Sequence, residues 1–341
     1  MKFHIDTTSK VPIYRQLTGS IESAVKSGRL HPGEQLPSMN QIADRHGISR
    51  ETVKKAYTIL CRKGALVSKQ GKGFYVAEKS ADSMLQVLVL FDKFSVYKQV
   101  IFNSLAQALG GRADITLHTH NQSIELLEYY LDNNLDNFDY YVVTPHFPLD
   151  EATLEKSVKL ISRIPNRKLI MLDRWIKEIP GNYGAVFQDF ENDIYEGLRE
   201  GLDKILESGR MRVITLPESL YGCCIHHGLE RFATDYKIRL DYYTEVPEDI
   251  AKGDIFLVLN SQLDWGLAAL ARKAAEKRFS PGRDISIISY NDFELNDVVL
   301  GGLTTVSTDF AKMGRLAAEM ILTGKPSKIH CPFHMNHRRT F

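Results

Sequence analysis

Residues 49–60 place cationic and hydroxyl side chains along one side of a predicted helix. The apolar residues of this segment recur at i, i+3, i+4, i+7 spacing: Val53, Ala56, Tyr57 and Leu60. Arg50, Thr52, Lys54 and Lys55 fall outside that apolar stripe. Guanidinium, ammonium and hydroxyl groups donate hydrogen bonds to phosphates and to base edges. A helix with a polar, cationic first half is therefore suited to the major groove of DNA.

The residues before this helix predict the elements that position it. Ser38 and Gln41 form an S-x-x-Q capping box that starts a preceding helix. Gly47 separates the two helices, and Ser49 is the natural N-cap of the second. Further upstream, Pro12 marks the start of another helix, whose apolar stripe comprises Ile13, Leu17, Ile21, Ala24 and Val25.

A basic hairpin follows the three predicted helices. Residues 65–69 and 74–76 are typical of strands, and Gln70-Gly71-Lys72-Gly73 between them predicts a tight turn. Three helices followed by such a hairpin indicate a winged helix-turn-helix, an α+β fold.

Charge is divided unevenly along the 341 residues. Residues 1–79 hold 14 Lys/Arg and 6 Asp/Glu, a formal +8, whereas the remainder holds 29 and 36, a formal −7. A basic head on an acidic body attracts phosphate at one end only. The four cysteines form no disulfide framework, and no signal region or membrane-length apolar run occurs, so a cytoplasmic location is expected.

Residues 11–76 resemble the winged-helix domain of GntR-type bacterial regulators. The resemblance is carried by Pro12-Ile13-Tyr14-Arg15-Gln16-Leu17, Ser27-Gly28-Arg29-Leu30, Leu36-Pro37-Ser38, Ser49-Arg50-Glu51-Thr52-Val53-Lys54 and the wing. It implies DNA contacts from the recognition helix and minor-groove entry by the wing glycine. Met39-Asn40 departs from the usual Glu-Arg of that family. The residues expected to contact DNA are Ser38, Asn40, Ser49, Arg50, Thr52, Lys54, Lys69, Gln70, Gly71 and Lys72.

Residues 85–341 alternate predicted strands and helices, which indicates largely parallel sheets with helices on both faces. The strands are expected at 87–91, 115–118, 140–144, 169–173, 185–187, 212–216, 255–259 and 285–289. The helices are expected at 97–109, 123–133, 154–164, 190–208, 228–236, 265–278 and 313–322. Two such sheets facing each other across a cleft would account for the length of this region.

This second region resembles the sugar-binding core of LacI-type repressors, which is related to periplasmic sugar-binding proteins. The resemblance is clearest in Asp284-Ile285-Ser286-Ile287-Ile288-Ser289-Tyr290-Asn291-Asp292, Leu303-Thr304-Thr305-Val306 and Met313-Gly314-Arg315-Leu316-Ala317-Ala318. It implies an α/β two-lobed, periplasmic-binding-protein-like domain. A GntR-type head on a LacI-type body is the arrangement of bacterial arabinose-repressor proteins. The expected boundaries are 1–77 for the head, 78–84 for a linker and 85–341 for the body. Lobe 1 is expected at about 85–174 and 291–308, and lobe 2 at about 175–290 and 309–341.

A sugar site needs polar partners for hydroxyls and aromatic faces for C–H surfaces, and ligands of such folds lie at the carboxyl ends of strands. The residues expected to bind ligand are Tyr97, His146, Arg174, Trp175, Asn260, Trp265 and Asn291. The resemblance implies that Arg174 and Asn260 contact the sugar; Asn291 stands where that family usually has Asp. Alternatives remain for each: Arg174 paired with Asp173 or Asp189, the aromatics in the core, and His146 as a plain loop histidine.

The resulting hypothesis is a sugar-responsive transcriptional regulator, most simply a repressor. A homodimer would bind a palindromic operator in double-stranded DNA, and a monosaccharide such as arabinose or fucose would set its affinity. No catalytic residue, cofactor, metal or membrane contact is expected. The histidines 330, 334 and 337 are interpreted as residues of one last strand, and Cys223-Cys224 with His226-His227 as no metal or nucleophile site. Two alternatives stay open: an enzyme carrying a DNA-binding head, and a body that only dimerises or binds another metabolite.

Overall fold

In this computed structural model, the N-terminal head contains the three helices and two strands that local sequence patterns predict. The structure describes residues 3, 5, 6, 9, 11–26, 28–77, 84–135, 137–215, 219–259 and 265–341. The predicted linker 78–84 lies outside them except for its last residue. The elements of the head are α1 Ile13–Lys26, α2 Met39–His46, α3 Arg50–Arg62, β1 Leu66–Lys69 and β2 Gly73–Val76.

The head has its own hydrophobic core, formed where the predicted helical stripes meet. The predicted residues Leu17, Ile21, Val53 and Leu60 are completely buried. Tyr57 is also completely buried, and its hydroxyl donates a hydrogen bond of 2.7 Å to the Pro37 carbonyl. The strands β1 and β2 pair antiparallel, with Lys69 opposite Gly73. These elements confirm the predicted winged helix-turn-helix.

The body alternates strands and helices, as its sequence pattern predicts. Its strands are β3 Leu85–Phe91, β4 Ala113–Thr119, β5 Tyr140–Val143, β6 Leu169–Asp173, β7 Gly184–Phe187, β8 Arg210–Ile214, β9 Arg239–Tyr243, β10 Ile255–Val258, β11 Ser286–Tyr290, β12 Thr304–Thr308, β13 Lys328–His330 and β14 Phe333–Asn336. Its α-helices are α4 Val96–Leu109, α5 Ile124–Asn134, α6 Glu151–Ile161, α7 Phe190–Arg199, α8 Leu202–Ser208, α9 Gly222–Tyr236, α10 Trp265–Glu276 and α11 Phe310–Thr323. Short 3₁₀ turns lie at Gly110–Arg112, Asn166–Lys168, Glu294–Asp297 and Val299–Gly301.

Two separate sheets organise the body. The first has the order β13-β7-β6-β5-β3-β4 and the second β14-β12-β11-β10-β8-β9. Neighbours in the second sheet pair parallel from β12 to β9, and β14 closes its other edge antiparallel. This arrangement confirms the two-sheet parallel α/β fold.

The lobe boundaries predicted from the sequence are wrong in three places. One is β13, which pairs with β7 in the first sheet although the sequence pattern assigns it to lobe 2. β7 pairs parallel with β6 in the first sheet, although the sequence pattern assigns it to lobe 2. β12 pairs parallel with β11 in the second sheet, although the sequence pattern assigns it to lobe 1. The chain therefore enters the second sheet after Phe187, returns after Thr308 and crosses again before β14. The sheet to which each strand belongs depends on strand pairing, and a local sequence pattern does not reveal that pairing.

Several further elements differ from the prediction. The helix expected at 190–208 divides into α7 and α8 at Gly201, where an added Cβ would lie 2.6 Å from the Phe341 ring. β9 and β12 have no counterpart among the predicted strands, and the strand expected around His330 and His334 is two strands, β13 and β14, in different sheets. None of the helices in the described ranges offers the long, apolar, nearly uncharged stretch that a bilayer crossing requires.

Helix α11 lies against α4 of the first lobe although it follows β12 of the second. Gly314 makes this close approach possible, because a Cβ there would lie 2.4 Å from the Ile101 carbonyl oxygen. The described residues fall into two compact units. One comprises those of Met1–Leu88 with Gly111–Thr116 and Tyr129–Tyr140; the other comprises Val89–Gly110, Leu117–Glu128 and Tyr141–Phe341.

Candidate nucleic-acid interface and ligand cleft

The first helix of the candidate DNA-binding surface begins at the predicted capping box. The Gln41 N–H donates to Ser38 Oγ at 3.2 Å, and the Ser38 N–H donates to Gln41 Oε1 at 2.8 Å. The helix ends at Gly47, whose φ of 64° lies in the left-handed region. This cap and the glycine stop fix the turn between α2 and α3.

The recognition helix α3 is capped by Ser49, whose Oγ accepts a hydrogen bond of 3.1 Å from the Thr52 N–H. The same Oγ lies 2.8 Å from Thr52 Oγ1, so the two hydroxyls are paired with each other. Arg50 and Lys54 are exposed, one turn apart. The N-terminus of α3 thus combines helix N–H groups with cationic side chains, an arrangement suited to phosphate and to base edges.

The wing presents its basic residues at the turn between β1 and β2. Gly71 has a φ of 71°, and a Cβ there would meet nothing within 4 Å, so only the backbone conformation calls for glycine. Gln35 Nε2 donates to the Lys72 carbonyl at 2.6 Å, which anchors the turn to the chain before α2. Lys69 lies over the Tyr75 ring at 4.7 Å.

All ten predicted DNA-binding residues lie on the head. Thr52 is half-buried, and the exposed ones are Ser38, Asn40, Ser49, Arg50, Lys54, Lys69, Gln70, Gly71 and Lys72. Their accessibility is compatible with the predicted contacts, which remain predictions. Lys55, which the sequence also places outside the buried stripe, lies over the Tyr14 ring at 4.0 Å.

The body contains a large cleft at the carboxyl ends of its strands. Its volume is about 1300 Å³. Asp92, His146, Asp173 and Gln188 line it from the first sheet. From the second sheet, one row of residues follows the paired strand ends: Tyr290, Leu259, Thr215 and Thr244. Open parallel sheets bind ligands at this edge, so the cleft is the candidate ligand site.

A buried ionic cluster supports the first-lobe wall of the cleft. Lys98 is completely buried, and its Nζ lies 3.1 Å from Asp92 Oδ1 and in contact with Asp173 Oδ2. Burial alone would raise the pKa of Asp173, but Lys98 and then His146 outweigh it, so this pKa lies well below its usual range. The pKa of Asp92 is lowered for the same reasons, so both carboxylates are ionised at neutral pH. Lys98 is therefore the shared counter-ion of the two carboxylates.

Asp173 also connects this cluster to the second lobe. Gln188 Nε2 donates to Asp173 Oδ1, and Gln188 Oε1 accepts a hydrogen bond of 2.7 Å from Thr308 Oγ1 on β12. His146 Nε2 lies 3.1 Å from Asp173 Oδ2. The carboxylate therefore joins groups from the ends of β5, β6 and β7 with the last residue of β12.

Aromatic rings form another part of the cleft. Phe190 and Tyr221 stack with centroids 4.3 Å apart and planes 4° from parallel. His146 meets the Tyr221 ring edge-on at 4.9 Å. Stacked rings of this kind offer flat apolar faces to the C–H surface of a sugar.

The buried atoms of cleft-lining residues that have no hydrogen-bond partner among the described residues include the Tyr290 hydroxyl and Asn291 Oδ1. Leaving such atoms unsatisfied costs about 1–3 kcal/mol each. Asn291 also has a φ of 67°, and Asp173 across the cleft a φ of 72°, so both hold left-handed backbone. Unsatisfied polar atoms and strained residues at one cleft are characteristic of a binding site.

The structure brings three of the predicted ligand-binding residues to the cleft: Tyr97, His146 and Asn291. Arg174 donates instead to the carbonyls of Pro145 and Phe147, at 3.1 and 3.2 Å. Its guanidinium lies 5.6 Å from the centre of the Tyr221 ring, so it supports the aromatic wall.

Of the remaining residues predicted to bind ligand, one does not line the cleft, and the side chains of two are not among those that the structure describes. Trp175 Nε1 donates to the Tyr183 hydroxyl at 3.0 Å, and the Trp175 ring packs against Phe187. Asn260 lies outside the described residues. Trp265 begins α10, and its side chain is likewise not described.

Sequence reasoning missed Lys98, the residue that joins Asp92 and Asp173. The signal was present, since Lys98 lies three and seven positions before Ile101 and Leu105 on the buried face of α4. A lysine on such a face requires buried carboxylates, and Asp92 and Asp173 both follow apolar strand runs. The histidines at the C-terminus have separate partners: His330 contacts Asp193 at 2.6 Å and His334 contacts Glu200 at 3.1 Å.

Cys223 and Cys224 begin α9, with their sulfurs 3.9 Å apart. Burial and the neighbouring thiol raise the pKa of Cys224 to about 11. Across the described ranges, no three His, Cys, Asp or Glu side chains are grouped closely enough to ligate a metal ion.

The head and part of the body each match a known family of domains. Residues 13–76 match the family described as bacterial regulatory proteins, gntR family. Residues 257–335 match the periplasmic binding protein-like domain. The HTH-type transcriptional repressor NagR of Bacillus subtilis (strain 168) is 35% identical over 88 residues, 26% of this chain. The chain matches only 36% of that relative's length.

Two solved structures show the same fold as the body. A dimeric Lac repressor has a TM-score of 0.58 at 17% identity, covering 75% of this chain and 98% of its own. The trehalose repressor from Escherichia coli has a TM-score of 0.58 at 17% identity, covering 74% and 100%. The chain thus combines a GntR-type helix-turn-helix domain with a periplasmic-binding-protein-like domain of the LacI-repressor fold.

Proposed function

We propose that this protein is a DNA-binding transcription regulator, a repressor in its simplest form, whose operator affinity is set by a sugar bound in the body cleft. Two chains bind a palindromic operator through their winged heads. A monosaccharide, with arabinose and fucose as leading candidates, occupies the cleft and shifts the DNA affinity. A coupling free energy of about 1–3 kcal/mol is sufficient for a 5–150-fold change.

The DNA-binding half of the proposal rests on the head. Its cationic residues are exposed on α3 and the wing, while most residues of its helical stripes are buried. Phosphate contacts would supply affinity and position, and side chains near the start of α3 would reach base edges. The match to the gntR family over residues 13–76 supports the same role.

The observation that carries the ligand half is the pair of buried, unpartnered atoms in the cleft, the Tyr290 hydroxyl and Asn291 Oδ1, among the residues that the structure describes. A sugar hydroxyl satisfies both kinds of atom, because it donates and accepts hydrogen bonds. Stacked Phe190 and Tyr221 provide the apolar surface for its ring.

The first test is thermal unfolding of the full chain against a panel of monosaccharides. A sugar at 100 times its dissociation constant stabilises the protein by about 2.7 kcal/mol, which gives a readable shift. The same sugar should change binding to a duplex selected by this protein from random-sequence DNA. If no sugar shifts the unfolding temperature, the ligand half of the proposal is wrong.

A matched pair of variants then localises the response. Asn291→Gly removes the amide and keeps the left-handed backbone, so it should lose the sugar response while still binding DNA. Asn121→Gly is the control, because Asn121 also has a positive φ, 48°, but does not line the cleft. An unchanged sugar response in Asn291→Gly would remove this residue from the site.

A further inference from the structure

The cleft extends farther along the second sheet than one sugar ring can reach. The paired residues Ser289, Val258, Ile214 and Tyr243 lie in one row across β11, β10, β8 and β9. The next residue of each strand lines the cleft: Tyr290, Leu259, Thr215 and Thr244. Strands lie about 4.8 Å apart, so this row spans about 14 Å. A pyranose with its hydroxyls, built from bonds of about 1.5 Å, spans about 6 Å.

The outer end of this row has polar groups of its own. Tyr242, Thr244 and Glu245 lie at and after the end of β9, and His226 of α9 also lines the cleft. The rings of His226 and Tyr242 are 4.7 Å apart. Hydroxyl, imidazole and carboxylate groups at one place provide both donors and acceptors for a ligand rich in hydroxyls.

Between the two polar ends the lining is mainly apolar, with Thr215 at the third position of the row as a polar exception. Leu259 occupies the second position of the row, and Ile225 and Leu229 of α9 also face the cleft. An inner polar region, a mainly apolar middle and an outer polar region match a ligand of two linked rings, whose glycosidic link has few free hydroxyls.

We propose that the cleft binds a glycoside of two sugar rings, with an outer subsite formed by His226, Tyr242, Thr244 and Glu245. One ring lies at Asn291 and the first-lobe wall, and the second lies in the outer subsite. This rests on the proposed function, because the inner ring occupies the site assigned there to a monosaccharide. The proposal extends that function, because it assigns the selectivity of the cleft to the second ring of the ligand.

Calorimetric titration of the full chain tests the proposal. The probes are arabinose, fucose, galactose and glucose, with the disaccharides arabinobiose, lactose, melibiose, maltose and cellobiose. We expect at least one disaccharide to bind tenfold or more tightly than its own component sugars. If a monosaccharide binds and every disaccharide binds equally or more weakly, the outer subsite is refuted and the proposed function stands. If none of the probes binds, both fail.

Variants of the outer subsite distinguish the additional affinity for a disaccharide from the affinity for a single sugar ring. His226 and Glu245 are exposed, so His226→Ala and Glu245→Ala should fold normally. Each should weaken disaccharide binding at least threefold and leave the component monosaccharide unchanged. Glu294→Ala, an exposed glutamate that does not line the cleft, is the control. Equal losses for disaccharide and monosaccharide, or no loss for either, would contradict the outer subsite.

Discussion

The head and the body differ in the burial of the residues that we propose bind their partners. On the head, the cationic side chains Arg50 and Lys54 are exposed, and the fold beneath them is complete without them. In the body, Lys98 is completely buried, and the strained Asp173 and Asn291 are almost so. A partner surface that stays in water can change without affecting the fold. A buried polar site contributes to the fold, so its changes alter stability and binding together.

The largest expected effect follows from removing the cation of the buried cluster. Lys98→Met leaves Asp92 and Asp173 without their shared counter-ion, so the free energy of unfolding should fall by about 3–5 kcal/mol. Urea unfolding measures this loss. Lys93→Met, at an exposed lysine of the same cleft, should change it by less than about 0.5 kcal/mol. Equal stability for the two variants would mean that the cluster does not stabilise the body.

The next effect is on the head, where a substitution should change the affinity for DNA but not the stability of the fold. Arg50→Ala should weaken binding to selected duplex DNA by about 1–3 kcal/mol, with an unchanged unfolding midpoint. Arg62→Ala, at an exposed arginine in the last turn of α3, is the control and should lose much less. Titration at several salt concentrations measures both. A lower unfolding midpoint in Arg50→Ala would contradict the separation of function from fold.

One substitution made in both regions should have opposite signs. The Tyr57 hydroxyl of the head donates to Pro37, so Tyr57→Phe should cost about 1 kcal/mol of unfolding free energy. The Tyr290 hydroxyl of the cleft is buried without a partner among the described residues. Tyr290→Phe should therefore stabilise the ligand-free protein by about 1 kcal/mol and weaken sugar binding. Destabilisation by both variants would show that Tyr290 is already satisfied.

The smallest effect is a pH dependence of the body. Burial raises the pKa of Asp193 to about 6, although His330 opposes the shift. A carboxyl whose pKa is raised by folding favours the folded state when protonated, so its contribution is lost as pH rises from about 4 to 6. Relative to the unsubstituted protein, Asp193→Asn should gain stability over this window. Urea unfolding at pH 4.5 and 6.5 measures the gain, and a parallel pH dependence in both would contradict it.

The head is predictable almost residue by residue because its determinants are local. The capping box at Ser38, the stop at Gly47 and the turn at Gly71 act within a few residues of the chain. The predicted strands of the wing agree with the observed ones to within one residue. Apolar stripes at helical spacing also identify the buried core correctly.

The body is predictable in type and order, but not in sheet membership. β9 escapes prediction because its side chains are only partly buried at a sheet edge, so no continuous apolar run marks it. The sequence assigns β7 and β12 to the wrong lobes because strand pairing depends on register and not on a local pattern. The same non-local geometry explains the site: Asn291 and His146 can be identified at strand ends, whereas the pairing of Lys98 with two aspartates is visible only in three dimensions.

The left-handed residues at the cleft limit how its selectivity can evolve. Asp173 and Asn291 hold positive φ angles, which glycine adopts freely and which asparagine and aspartate adopt at a lower cost than other residues. Most single substitutions there would be lost through misfolding before any new ligand could select them. Exchange between Asp and Asn is the route that stays open. Diversification of the ligand is therefore expected at freely varying positions such as His226 and Glu245, with the two strand ends held nearly constant.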